Sequence, residues 1–136
     1  MFIVGEYSCI EGGPAVLATI GPTFGLSVHK SSNGAPKRPF AAQSPAGLYL
    51  ALEEHEELLD GLDLFWTDPY KVPVGVGSSS AQFVLSVAAV ARLSGRALPE
   101  PRDVLESYWK IVGDTQGLRP SGVDVVAQWL GGPLLT

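Results

Sequence analysis

The sequence predicts an α+β fold of two layers, a mixed or antiparallel sheet packed against helices. Three observations lead there. Short apolar or alternating runs separated by glycine-proline turns crowd the first thirty residues, and one more alternating run lies at 62–67. Most of the remainder carries helical periodicity. Strands, a helix, a strand and then a block of helices is an order that regular βαβ alternation does not give.

Residues 1–7, with Phe2, Ile3 and Val4, then 15–20 and 23–30, read as three strands with Gly12-Gly13-Pro14 and Gly21-Pro22 as the turns between them. In the third, Phe24, Leu26 and Val28 alternate with Gly25, Ser27 and His29, the period of a sheet covered on one face. This opening is antiparallel hairpin material. Residues 31–43 hold Asn33-Gly34, Pro36, Pro39 and the basic pair Lys37-Arg38 without an apolar period. They read as an exposed loop, its charges either solvated or able to attract an acidic ligand.

Ser44-Pro45 has the chemistry of an N-cap followed by proline at the first helical position, where a missing N–H costs nothing. Leu48, Leu52, His55 and Leu59 then predict one helix reaching Asp60-Gly61, with Glu53, Glu54, Glu56 and Glu57 on its wet side. His55 has no cysteine or second histidine placed to share a metal, so it is expected to be packed or to sit at the core boundary. Leu62, Leu64 and Trp66 alternate with Asp63, Phe65 and Thr67 in a strand that Asp68-Pro69 ends. Residues 81–93 are apolar on nearly every helical face, which makes that helix central. Ser94-Gly95 closes it. Pro99-Glu100-Pro101 introduces a helix over 102–112, with Val104, Leu105, Tyr108, Ile111 and Val112 on one side. Pro120-Ser121-Gly122-Val123-Asp124 opens a short helix ended by Gly131-Gly132-Pro133, and Leu134-Leu135-Thr136 begins a further apolar segment.

A chain of 136 residues with 46% hydrophobic content can bury a core as one domain. The net charge of −5 opposes nucleic acid as a partner, since a polyanion calls for a clustered basic surface. An anion site made of uncharged backbone N–H groups remains open to it. Cys9 is the sole cysteine, so neither an internal disulfide nor a cysteine-rich zinc site can form, and a reducing, cytoplasmic compartment fits. The apolar run at 83–93 is too short for a bilayer and the first residues lack the basic start of a signal peptide, so no membrane association is expected.

Val72-Pro73-Val74-Gly75-Val76-Gly77-Ser78-Ser79-Ser80-Ala81 runs directly into the central helix. Gly75 and Gly77 let backbone approach a ligand, and a helix start offers unpaired N–H groups and a positive dipole end to an anion. Ser78, Ser79 and Ser80 add hydroxyls. The stretch is neither the lysine-bearing phosphate loop nor Gly-x-Gly-x-x-Gly. Taken alone, it is equally a tight strand-to-helix connection with a serine N-cap.

In context it resembles the second signature of the GHMP kinases (galactokinase, homoserine kinase, mevalonate kinase and phosphomevalonate kinase), Pro-x-x-x-Gly-Leu-Gly-Ser-Ser-Ala/Ser-Ala, with Val76 at the leucine. Val4-Gly5-Glu6-Tyr7-Ser8-Cys9-Ile10-Glu11-Gly12 is similar to the Gly-Glu-His/Tyr-x-Val-x-x-Gly opening of mevalonate and phosphomevalonate kinases. Gln116-Gly117 with Pro120-Ser121-Gly122-Val123-Asp124 resembles the Ser-Gly-x-Asp segment that carries the family's catalytic aspartate. The three motifs occur in the family's order. The resemblance implies the amino-terminal domain of an ATP-dependent, magnesium-dependent kinase for a small-molecule alcohol or phosphate acceptor. Gly75, Gly77, Ser78, Ser79 and Ser80 would bind the ATP phosphates, with the Ser79 hydroxyl near magnesium. Asp124 would orient or deprotonate the acceptor, and Glu6, Tyr7 and Ser121 would lie near the substrate.

Each assignment has a structural rival. Ser121-x-x-Asp124 is also spaced like a capping box, and Glu6 is also an ordinary strand-end charge. The family's Pro-Gly-Lys before Gly-Glu is absent, and the metal-binding glutamate of mevalonate kinases falls at Gly113. The carboxy-terminal domain with its glycine-rich loop is missing as well. The chain is therefore expected to be truncated at both ends and a poor enzyme alone. The alternative expectation is a non-catalytic scaffold, or a homodimer formed through an uncovered apolar face.

Overall fold

The computed structural model describes residues 21–32, 34–70, 77–113 and 120–131 together with Gly13, and the backbone of 2–4, 16–17 and 134–135. The architecture mixes α and β, as an α+β order requires. Strands β1 (Phe2–Val4), β2 (Val16–Leu17) and β3 (Gly25–Lys30) precede helices α1 (Pro45–Leu50) and α2 (Glu53–Leu58). Strand β4 (Leu62–Thr67) is followed by α3 (Ser78–Leu93), α4 (Pro101–Val112), α5 (Val123–Leu130) and β5 (Leu134–Leu135). One sheet has the order β1-β2-β5 and the other pairs β3 with β4, all antiparallel. The opening thus contains the expected hairpin pairing of β1 with β2. The third strand leaves it for β4, in a register from Gly25 opposite Thr67 to Lys30 opposite Leu62.

Helix α3 is the hub, touching β3, α1, α2, α4 and α5. Its burial runs from Ser80 to Ala91 and includes Phe83, Val84, Val87 and Val90, as expected of a helix apolar nearly all round. Two apolar clusters divide over its surface. Val90 joins Phe40, Ala46, Leu50, Leu59 and Leu64 beneath the β3–β4 sheet. Phe83, Val84 and Val87 pack with Val104 and Val125 from α4 and α5, and Tyr49 borders both clusters.

The single helix expected from Ser44 to Asp60 is two. Ser44 does cap the first, its Oγ accepting from the Gly47 N–H at 3.1 Å, with Pro45 at the first helical position. Leu52 then turns extended (φ −63°, ψ 137°) and starts α2. The reason is burial geometry. Leu50 and His55 both point into the fold, and five residues of continuous helix would rotate them apart by roughly 140°. Breaking at Ala51–Leu52 resets the phase, leaving Leu52 exposed. His55 is packed, only 4% exposed, as the stripe implied, and its Nδ1 lies 2.7 Å from the Tyr49 carbonyl.

The loop before α1 is bound more tightly than solvated charges would be. Arg38 donates from Nη1 to the Leu62 carbonyl at 2.7 Å and from Nη2 to the Leu59 carbonyl at 3.1 Å. Lys37 lies with its Nζ 5.6 Å from the Phe65 ring centre, and its backbone N–H donates to the Asp63 carboxylate at 2.8 Å. The basic pair thereby closes the edge of β4.

Candidate functional site

The starts of α3 and α5 meet. Gly77 caps α3 in the left-handed region (φ +79°), and a Cβ there would stand 2.5 Å from Gln128 Nε2. Only glycine meets both conditions. No side chain caps this end, so the expected serine N-cap is replaced by Gly77, and the three serines form the first helical turn. Ser78 is half-buried, Ser79 is exposed and Ser80 is 5% exposed.

Helix α5 begins in the same manner. Gly122 is its N-cap at φ +66°, and a Cβ there would run into Leu105 Cδ1. The N-cap is Gly122 rather than Ser121, so the capping-box reading of Ser121 and Asp124 is not what the structure adopts. Asp124 instead accepts a hydrogen bond from the hydroxyl of Ser80, which lies 44 residues away in sequence. One turn further along α5, Gln128 donates from Nε2 to the Gly77 carbonyl at 2.8 Å. Two residues of α5 therefore hold two residues of the glycine-serine stretch.

Helix α4 supplies the third wall. The Tyr108 phenol is held above its ordinary value, first by burial and then by the negative charge of Asp124. Its ring meets Phe83 edge-on at 5.2 Å. Trp109 Nε1 donates to the Pro120 carbonyl at 2.8 Å just before α5, and Trp129 Nε1 donates to the Pro99 carbonyl at 3.2 Å near its end. These two indoles pin α5 at both ends.

Of the expected site residues, Ser80 and Asp124 are in direct contact, and Gly77, Ser78 and Ser79 stand in the same helix start. Ser121 lies half-buried just ahead of α5. Gly75, Glu6 and Tyr7 lie outside the described residues, as do Gln116 and Gly117. Gln128 and Tyr108 were not singled out in the sequence. Gln128 carried a usable signal, because a residue four after Asp124 shares its helix face. Tyr108 showed only a place on an apolar stripe.

The donors suit a hard cation. Magnesium takes oxygen ligands, commonly one or two carboxylates completed by phosphates and water. Asp124 and the Ser80 hydroxyl bound to it are oxygens of that kind, and Ser79 stands exposed one residue before Ser80. Among the described residues there is no cluster of three or more His, Cys, Asp or Glu that could hold a metal ion by itself. Among the same residues no helix is long and apolar enough to cross a membrane. Comparison with protein-family models, curated proteins and solved structures finds no match.

Proposed function

We propose that the chain forms the phosphate-binding half of an ATP-dependent small-molecule kinase with a GHMP-type amino-terminal fold. The observation that carries this reading is the hydrogen bond from Ser80 to Asp124, which joins the glycine-serine helix start to the aspartate that the motif resemblance nominates. The uncapped first turn of α3 offers backbone N–H groups and a positive dipole end to a phosphate. Ser78 and Ser79 add donors at its mouth. Magnesium, when bound, supplies neutralisation of phosphate charge.

Asp124 then orients the acceptor hydroxyl and takes its proton as the phosphoryl group transfers, a positioning role suited to a reaction with little covalent work for the protein. Ser80 fixes the carboxylate beforehand, and Gln128 holds the Gly77 carbonyl so that the turn and the aspartate keep their spacing. The test is magnesium-dependent ATP binding by a version of the chain extended at both ends. Ser79→Ala and Asp124→Asn should each weaken it, and an extended chain showing no such binding ends the kinase reading.

A second reading, a non-catalytic self-associating module, is favoured by a different observation. Leu98 and Leu130 are 50% and 55% exposed, and each is next in sequence to a partner of the Trp129–Pro99 hydrogen bond, so two large exposed apolar residues lie near one another. Sedimentation resolving a dimer that Leu130→Asp dissolves supports it. A strict monomer at high concentration removes it.

A further inference from the structure

At the other end of α3, about 15 Å along the helix from Ser80, lies a cleft of about 570 Å³. Its floor is apolar, made by Val87, Val90 and Ala91 of α3 with Ile111 of α4. Its volume is within the usual range for a small-molecule site, and an apolar floor with a few polar groups is the usual lining.

The lining also carries charge of both signs. Arg96 and Lys110 bring two positive charges, and Glu54 and Asp103 two negative ones. All four side chains are exposed, and no pair of them lies within ion-pairing distance among the described residues, so each can meet a ligand from solvent. Glu54 reaches only the Nε2 of His55, at 3.5 Å. Glu106, the natural partner for Lys110 four residues on, is paired with Arg102 at 3.0 Å. Arg96 donates from Nε to Ser94 Oγ at 3.0 Å, and its two terminal nitrogens make no hydrogen bond among the described residues.

Tyr49 adds a half-buried phenol to the lining. Its hydroxyl makes no hydrogen bond among the described residues, and burial holds the phenol above its ordinary value, with smaller opposing effects from Arg96 and Glu54. The phenol is held in place by ring contacts with His55 at 4.3 Å and Phe83 at 5.4 Å. A donor-acceptor group is thus fixed in a cleft with an apolar floor that Arg96 and Glu54 also line.

We propose that this cleft binds a small zwitterion with an apolar body, of the class of the apolar α-amino acids. The ligand's carboxylate meets Arg96 and Lys110, its ammonium meets Glu54 and Asp103 beside the Tyr49 hydroxyl, and its side chain lies on Val87, Val90 and Ala91. A simple anion or cation would leave one pair of charges unanswered and meet the other as repulsion. The proposal does not depend on the kinase reading, since it uses none of the residues at the start of α3.

The experiment is titration of the chain, followed by amide chemical shifts, with L-leucine, L-phenylalanine and the two halves of leucine, 4-methylpentanoate and 3-methylbutylamine. The amino acids should saturate shifts around Tyr49, Val90 and Ser107, and each half should bind about tenfold or more weakly. Arg96→Gln should abolish most of leucine's advantage over the amine, and Glu54→Gln most of its advantage over the acid. Both side chains sit at the rim, so retained dispersion of the spectrum will show that the variants fold. The proposal is overturned if neither amino acid saturates, if either half binds as tightly as leucine, or if both variants leave leucine affinity unchanged.

Discussion

Two aspartates, Asp63 on β4 and Asp124 on α5, are each held by a hydrogen bond to a distant part of the chain, and the kinds of partner differ. Asp63 is 7% exposed and accepts from the backbone N–H of Lys37, while the Leu64 N–H donates back to the Lys37 carbonyl at 3.0 Å. Its partner is main chain, so the bond locks a loop to a strand and cannot be released without moving both. Asp124 is half-buried and accepts from the Ser80 side chain at the meeting of two helix starts. One hydroxyl occupies only part of the carboxylate's acceptor capacity and leaves its other lone pairs to a ligand. An aspartate tied to backbone is architecture, and one tied to a hydroxyl can be both poised and available.

The largest effect should come from beneath Asp124. Gly122→Ala puts a Cβ at a positive φ and into Leu105, and should lower stability by about 3 kcal/mol in urea unfolding. Asp63→Ala comes next. It strands the Lys37 N–H and should cost about 2 kcal/mol in the same measurement, with nucleotide binding by the extended chain unchanged. Asp124→Asn should reverse that pattern. The amide oxygen can still accept from Ser80, so stability should move by no more than about 1 kcal/mol while phosphoryl transfer by the extended chain is lost.

Asp124→Asn also has a pH signature. Burial, and secondarily the Asp124 charge, favour the neutral Tyr108 phenol in the folded chain. That share of stability is present below the unfolded value near pH 10 and disappears as pH rises through the higher folded value. In Asp124→Asn the second cause is gone, so tyrosinate absorbance assigned by comparison with Tyr108→Phe should appear at lower pH than in the parent. The smallest effect is the control, Arg102→Ala. It removes a solvent-exposed pair with Glu106 and should stay within about 0.5 kcal/mol.

Where local chemistry decides the structure, the sequence was readable. Ser44-Pro45 starts α1, and the alternation from Leu62 to Thr67 spans β4 with no shift of its ends. The break at Ala51–Leu52 was not readable, because Leu48, Leu52, His55 and Leu59 fit a continuous helix and only the packing of Leu50 and His55 against distant elements interrupts it. The site shows the same division. Glycine-serine chemistry marked the start of α3, whereas local spacing pointed Asp124 toward a cap with Ser121. Its actual partner, Ser80, is 44 residues away, a contact that only tertiary packing creates. The Lys37-Arg38 pair looked like loop charge for a similar reason, since the carbonyls that Arg38 binds come from the end of α2 and the start of β4.

The central claim is that the junction of α3 and α5 receives the phosphates of a nucleotide. Amide shifts of the chain on titration with ATP, with and without magnesium, test it most directly. Magnesium-dependent shifts should concentrate at Gly77, Ser78, Ser79, Ser80 and Asp124, be reduced in Ser79→Ala and still be seen in Asp63→Ala. Shifts that spare the start of α3, or that are the same with and without magnesium and in Ser79→Ala, would contradict it.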